Sequence, residues 1–277
     1  MNLTLTERYL ADFHDANAGA TSRAFEHLAV VRGTQPFAST YHALGSILRA
    51  RDAPRALLDL AWGDGHLLAL LADNAPHATL IGIDLSQGEL AAARSRLGPR
   101  AALVRARAQQ LPLASASVDA VLSHLALMLM DDAERVVAEV RRVCRPGAVF
   151  AGVVGASSPP SPAREAFIRL YAGASKRPQL ADIRFGDRRF RSAEGIRELL
   201  TPAFDALALE ELNAARDCTP VQLWAWLLDM YDTDLLMRDA LASFRSDCLL
   251  AWQSLCGPAG TLRHEDRYLQ FSARAAT

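Results

Sequence analysis

The sequence predicts an α/β fold, a mostly parallel sheet with helices on both faces, and three observations predict it. Short apolar runs alternate with amphipathic stretches from Ala56 to Gly155, the rhythm of strand–helix–strand crossovers. A glycine turn, "AWGDG" at 61–65, links the first strand of that series to its helix. An acid, Asp84, closes the second strand about twenty residues further on, the place from which doubly wound folds reach a ribose.

Each element follows in order. "ALLDLAW" (56–62) is short and wholly apolar but for one acid, a strand buried on both faces. "GHLLALLADN" reads as a helix stopped by the Asn74–Pro76 break. "ATLIGIDLS" (78–86) is the second strand, and "QGELAAARSRLG" (87–98) is a helix halted at Gly98-Pro99. "AALVRARAQ" and "VDAVLSHLALML" supply the third and fourth strands. "DDAERVVAEVRRVC" is a helix with Asp at its start and Arg145-Pro146-Gly147 as its close, and "GAVFAGVVG" is the fifth strand.

Outside this block the rhythm changes. Residues 1–50 read as helical, forming an N-terminal lid ahead of the core at 51–155. "SSPPSPA" (157–163) leads into a helix through about Tyr171, and "SAEGIRELL" is a helix with Ser192 as its N-cap. "FDALALEEL" (204–212) is a further strand and completes a core continuation at 156–212. Residues 213–260 carry helical periodicity and read as a lid insertion. "DRYLQFSARA" alternates and places a final strand and tail in 261–277.

Composition narrows the function classes. Half of the 277 residues are hydrophobic, the formal net charge is −1, and the basic residues are nearly all arginine, Lys176 being the one lysine. A near-neutral chain offers no electrostatic footprint for nucleic acid. No stretch approaches the roughly 18 apolar residues of a membrane helix, and the N-terminus lacks a signal-like apolar core. The four cysteines show neither CxxC spacing nor a disulfide framework. A cytoplasmic protein acting on a small molecule, as monomer or homodimer and without a metal, is the expectation.

The loop decides the ligand class. Ala61-x-Gly63-x-Gly65 departs from the G-x-G-x-x-G spacing that cradles a pyrophosphate. Asp59, two residues before the turn, lies at a strand end where it meets a ligand's cation. At these residues the sequence resembles the class I S-adenosylmethionine (SAM) dependent methyltransferases: "LLDLAWGDGHLLALLA", "IGIDLS", "LPLASASVDAVLSHLALML" and "RRVCRPGAVFAGVV" follow one another in that family's order. The resemblance implies a Rossmann-like, seven-stranded, mostly parallel sheet with an antiparallel last strand. It also implies that SAM is the cofactor. Asp59 and the Ala61–Gly65 backbone, with Gly63 and Gly65, would then meet the methionine portion. Asp84 would take the ribose hydroxyls and Leu85 would pack on the adenine. Arg107 stands where the family usually has an acid against the adenine amino group, which passes that contact to Ala108 and Gln109. Tyr41 would close over the methionine end, and Ser123 and His124 would line the reaction side.

Several residues carry two readings. Ala61 replaces a glycine, which a methyl tolerates only at negative φ. Trp62 either fills the sheet–helix interface or faces the sulfonium. Tyr41, His124 and His14 are the candidate catalytic side chains. His14 and Asp15 adjoin in sequence, a spacing at which helical neighbours face apart. Trp224, Trp226 and Tyr231 read as lid core. Methyl transfer to a small molecule, within secondary metabolism, is the first functional reading. The "FHDANAGATSRAFEH" block, the W-G-D-G-H loop and "SHLALMLM" also resemble methyltransferase-like enzymes of nonribosomal-peptide pathways that cyclise SAM to azetidine-2-carboxylate and methylthioadenosine. A non-catalytic SAM-fold protein is the third reading.

Overall fold

A computed structural model describes residues 2–48, 54–72 and 77–276. The chain divides into two units: Met1–Ser157 with Arg184–Leu212 and Tyr268–Thr277, and Ser158–Ile183 with Asn213–Arg267.

Nine strands of the described residues form one sheet. They are β1 (Val30–Arg32), β2 (Gln35–Phe37), β3 (Ala56–Leu60), β4 (Thr79–Asp84), β5 (Ala101–Arg105), β6 (Val118–His124), β7 (Cys144–Gly155), β8 (Phe204–Cys218) and β9 (Leu262–Ala275). Their spatial order is β2-β1-β8-β9-β7-β6-β3-β4-β5. Parallel pairing joins β5, β4, β3, β6 and β7, and β9 runs antiparallel to β7. Seven strands were expected. The extra pair is the hairpin β1–β2, in a stretch that had read as helical, so that the parallel block is five strands of nine. "VVRGTQPF" keeps a β-branched pair, a glycine turn and a proline that can occupy only an edge strand, β2 being the last in the sheet.

Helices of the larger unit are α1 (Leu5–Ala16), α2 (Ala20–Phe25), α3 (Thr40–Gly45), α4 (His66–Ala72), α5 (Gln87–Leu97) and α6 (Ala133–Val143). α6 shows why they pack: Val136, Val140 and Val143 recur at i, i+4 and i+7 and are fully buried in a core with Phe150, Phe204 and Phe271. Phe150 and Phe271 meet edge to face at 5.1 Å between ring centres. Two local expectations change. Asp132 precedes α6 in a left-handed conformation, φ 56°, and does not cap it. Arg145-Pro146-Gly147 does not precede the fifth core strand but lies within β7, whose pairing slips from Val118↔Cys144 to Ala120↔Val149, an irregularity that takes up the proline. The Asn74–Pro76 stop and the boundary between residues 50 and 51 lie outside the described residues.

The smaller unit contains α7 (Pro162–Gly173), α9 (Pro220–Leu227), α10 (Tyr231–Asp234) and α11 (Arg238–Gln253); α8 (Ala193–Leu200) belongs to the larger unit and is capped by Ser192 as expected. Trp224, Phe244, Cys248 and Trp252 form its core, and Trp252 Nε1 donates to the Ala163 carbonyl at 3.0 Å. Residues 213–218, expected within a helical insertion, continue β8 instead. No described helix is long and apolar enough to cross a membrane.

Trp62 packs directly on the parallel block. Its indole lies on Gly82 of β4, where an added Cβ would stand 2.4 Å from Cε3. Gly82→Ala should therefore destabilise the protein by about 1–3 kcal/mol through overpacking. Gly82→Ala combined with Trp62→Leu should recover part of that loss, read by denaturant unfolding.

Candidate active site

The parallel strands reverse direction of build at β3 and β6, and crevices form at such switch points, outside the carboxyl ends of the strands. Asp59, Asp84 and His124 all stand at those ends, in β3, β4 and β6. The turn after β3 holds Ala61, Gly63 and Gly65 at φ of 58°, 60° and 81°. Ala61 thus adopts the left-handed region despite its methyl group, contrary to the negative φ expected of it. Its N–H donates to the Ile83 carbonyl at 2.8 Å, which holds the turn against β4.

Asp59 is 1 % exposed, and neither carboxylate oxygen has a hydrogen-bond partner among the described residues. Burial, and then the charges of Asp84 and Asp64, push its carboxyl well above the usual carboxylate range. Asp84 is better supplied. Its Oδ2 accepts from Gly63 N at 3.0 Å and its Oδ1 from Ser86 N at 2.8 Å. Burial nevertheless outweighs those bonds and the His14 charge, so its pKa is raised. Asp84 therefore braces the glycine turn as well as facing the crevice. Leu85 follows it, partly buried, with its carbonyl accepting from Arg105 Nε at 2.7 Å.

The N-terminal helices close on the same end of the sheet. His14 Nδ1 lies 2.8 Å from Glu89 Oε1, and Asp15 accepts from Ser86 Oγ at 2.6 Å and Gly88 N at 2.8 Å. His14 and Asp15 do not form a dyad; each grips α5 separately. Glu7 in α1 pairs with Arg107 at 2.8 Å, which neutralises the cation that departs from the family pattern. The Gln109 side chain is engaged elsewhere: its Nε2 donates to the Asp131 carbonyl at 2.7 Å, and the Gln109 backbone carbonyl accepts from Arg135 Nε at 3.1 Å. Ala108 beside it is buried.

Tyr41 and His124 stack at 3.7 Å between ring centres with 21° between planes, and His66 lies 4.6 Å from Tyr41. Thr40 Oγ1 is 2.8 Å from His124 Nε2, while His124 Nδ1 is buried without a partner. Burial, and then the His66 charge, hold His124 down to about 3, and burial drives the Tyr41 hydroxyl upward. Both rings are uncharged at neutral pH. Ser123 turns away to donate to the Leu60 carbonyl at 3.0 Å, a tie between strands. Trp62 occupies the sheet–helix interface of its two readings, with Nε1 buried and unpartnered.

Residues 58–152 match the model of a family described as "Methyltransferase domain". This segment, about a third of the chain, is similar to methyltransferase domains. Malonyl-[acyl-carrier protein] O-methyltransferase of Methylococcus capsulatus is 37 % identical to the chain over 106 residues, 38 % of each protein. Trans-aconitate 2-methyltransferase of Deinococcus radiodurans is 33 % identical over 158 residues, 57 % of each. The chain thus spans less than two thirds of the length of either relative. Phosphoethanolamine N-methyltransferase 2 of Haemonchus contortus, solved with S-adenosylhomocysteine, shares the fold at a TM-score of 0.57 and 16 % identity, covering 99 % of this chain and 61 % of that one. SAM is the cofactor of the methyltransferase domain, and the unpartnered Asp59 carboxylate fits the ammonium of its methionine end.

Four residues of this region escaped the sequence reading. Asp64 joins Ser22 of α2 to Arg96 of α5, Glu89 accepts from Gly19 N at 3.0 Å, Thr40 meets His124, and Glu7 meets Arg107. Glu89 stood three residues after the N-cap Ser86, a capping-box spacing that gave no hint of a partner 70 residues away.

Two outcomes follow from the loop. Ala61→Gly should raise stability by about 0.5–1 kcal/mol, the left-handed strain of an L residue exceeding the entropy cost of glycine, seen as a higher denaturation midpoint. Asp59→Asn should stabilise the ligand-free protein by roughly 1–3 kcal/mol at pH 7 by removing a carboxyl that is harder to ionise in the fold than in the unfolded chain. The folded-state pKa of Asp59 lies above its unfolded value, so its ionisation opposes folding at every pH above the ordinary carboxylate range. The gain should accordingly vanish by about pH 3, where the side chain is protonated in both states. Thermal unfolding across pH checks both the size and the sign.

Proposed function

We propose that this chain is a SAM-dependent methyltransferase acting on a small molecule. The observation that carries the reading is Asp59: a buried carboxylate, without a hydrogen-bond partner among the described residues, at the switch point beside a glycine turn. An ionised acid there needs a cation delivered by a ligand, and the SAM ammonium is of that kind. Asp84, whose oxygens each retain a lone pair, would accept from the ribose hydroxyls, and Leu85 would pack on the adenine. The backbone at Ala108, rather than the committed Gln109 amide, would meet the adenine edge.

SAM supplies a methyl group on a sulfonium, transferred when an acceptor lone pair attacks the methyl carbon and the carbon–sulfur bond breaks. The residues of this chain position the partners of that displacement. Tyr41 and His124 form a stacked wall of two uncharged rings at the methionine end, suited to a sulfonium. A histidine held down to about 3 is a poor proton acceptor, so the wall shapes the site and leaves deprotonation to the acceptor itself. Acceptors already ionised at neutral pH suit such a site. The relatives named for malonyl and trans-aconitate substrates agree with that chemistry.

Calorimetric titration tests the cofactor assignment: Asp59→Asn and Asp84→Ala should each weaken SAM binding about ten-fold or more, as lost charge-assisted contacts do. An unchanged affinity in both would remove the site. Mass spectrometry tests the reaction: the purified protein given SAM alone should leave it intact. Catalytic release of methylthioadenosine with an equal amount of azetidine-2-carboxylate would replace methyl transfer with cyclisation.

A further inference from the structure

In the smaller unit, two partly buried arginines and a buried histidine gather around one buried aspartate. Arg164 of α7 donates through Nη2 to Asp266 Oδ1 at 2.7 Å and to the Glu265 carbonyl at 2.9 Å. Arg216 of β8 approaches the same carboxylate only at 3.9 Å, and its guanidinium lies 4.4 Å over the Trp226 ring. His264 of β9 is 6 % exposed, with Nε2 3.0 Å from Asp266 Oδ2 and its ring 5.6 Å from Trp226. Two arginines and a histidine therefore converge on one aspartate.

Donors are left over. Arg164 Nε, Arg216 Nη2 and both ring nitrogens of His264 are buried without a hydrogen-bond partner among the described residues, and Asp266 Oδ2 is the single buried acceptor left beside them. A buried, unmet N–H on a charged group is costly, and native proteins rarely leave several together. The acid on the rim does not serve them, since Asp217 and Glu265 face Arg263 at 3.7 and 3.2 Å. Asp266 itself sits below the ordinary carboxylate range: burial raises it, but the bonds from His264 and Arg164 more than reverse that. The aspartate is ionised, and one negative charge still falls short of two guanidinium groups.

We propose that the smaller unit carries a binding site for a small-molecule carboxylate, formed by Arg164, Arg216 and His264 beside the Trp226 ring. The planar guanidinium fork matches the two oxygens of a carboxylate, and the indole stacks on the Arg216 fork, whose side-chain neighbours besides Asp266 include the weakly accepting Cys218 sulfur. His264 offers a further donor from a position that bulk water does not reach. Arg164, Arg216, Trp226 and His264 all belong to the smaller unit, and Asp59 belongs to the larger one.

Titration calorimetry of the full chain with succinate, inorganic phosphate and uncharged succinamide tests it. Succinate should bind, phosphate more weakly and succinamide not at all. Arg216→Gln should weaken succinate about ten-fold or more, with SAM affinity unchanged as the control for folding, and Arg216→Lys should fall between. His264→Asn should weaken succinate by a smaller factor. No heat with succinate at tens of millimolar would overturn the proposal and leave the spare donors to ordered water. So would equal binding of succinamide, tighter binding of phosphate, or a succinate affinity that neither arginine variant alters.

Discussion

An unpaired carboxylate governs the larger unit. Asp59 sits at the end of a strand hemmed in by β4 and β6, with Gly82 and Leu122 as its register partners. Nothing in that position can rotate it to solvent. The fold holds an acid that it does not satisfy, and the surrounding pieces serve to keep it so. The glycine turn bends away above it, Ser123 directs its hydroxyl to the Leu60 carbonyl instead, and Asp84 spends its oxygens on the turn and on α5. Sites that bind charge commonly keep such local strain because the ligand relieves it.

Much of this was legible in the chain. The five parallel strands and their order of elements follow from apolar runs and turn residues, since a strand buried on both faces can contain little else. Asp59 and Asp84 stand out because acids inside such runs are expensive and so have a purpose. The β1–β2 hairpin was not legible, for its three-residue strands are too short to show alternation and gain their stability from the sheet edge they extend. The left-handed Ala61 was hidden for another reason. Propensity argues against it, and the Ala61–Ile83 and Gly63–Asp84 hydrogen bonds, with the Trp62 ring seated on Gly82, hold the turn on that path.

Side-chain partnerships distant in sequence were invisible altogether. Arg107 looked like a defect in adenine recognition, and its meaning changes once Glu7, a hundred residues earlier, is seen to neutralise it. The same holds for His14 and Asp15, which share one helix yet take different partners on α5. Their spacing already showed that helical neighbours face apart, but not which partner each would take. Trp226 likewise read as packing, and it does pack, but against a guanidinium.

The helices next to the glycine turn have a consequence for which cofactors the protein refuses. A free helix N-terminus attracts phosphate. Here the first turn of α4 already receives Asp64, whose Oδ1 accepts from His66 N at 3.3 Å, and the first turn of α5 receives Asp15 at Gly88 N. Both positive poles are occupied by the protein's own acids, so a dinucleotide entering this crevice would bring its pyrophosphate against carboxylates. Charge alone thus sets these two helix starts apart from the free N-termini that cradle a pyrophosphate in dinucleotide-binding folds.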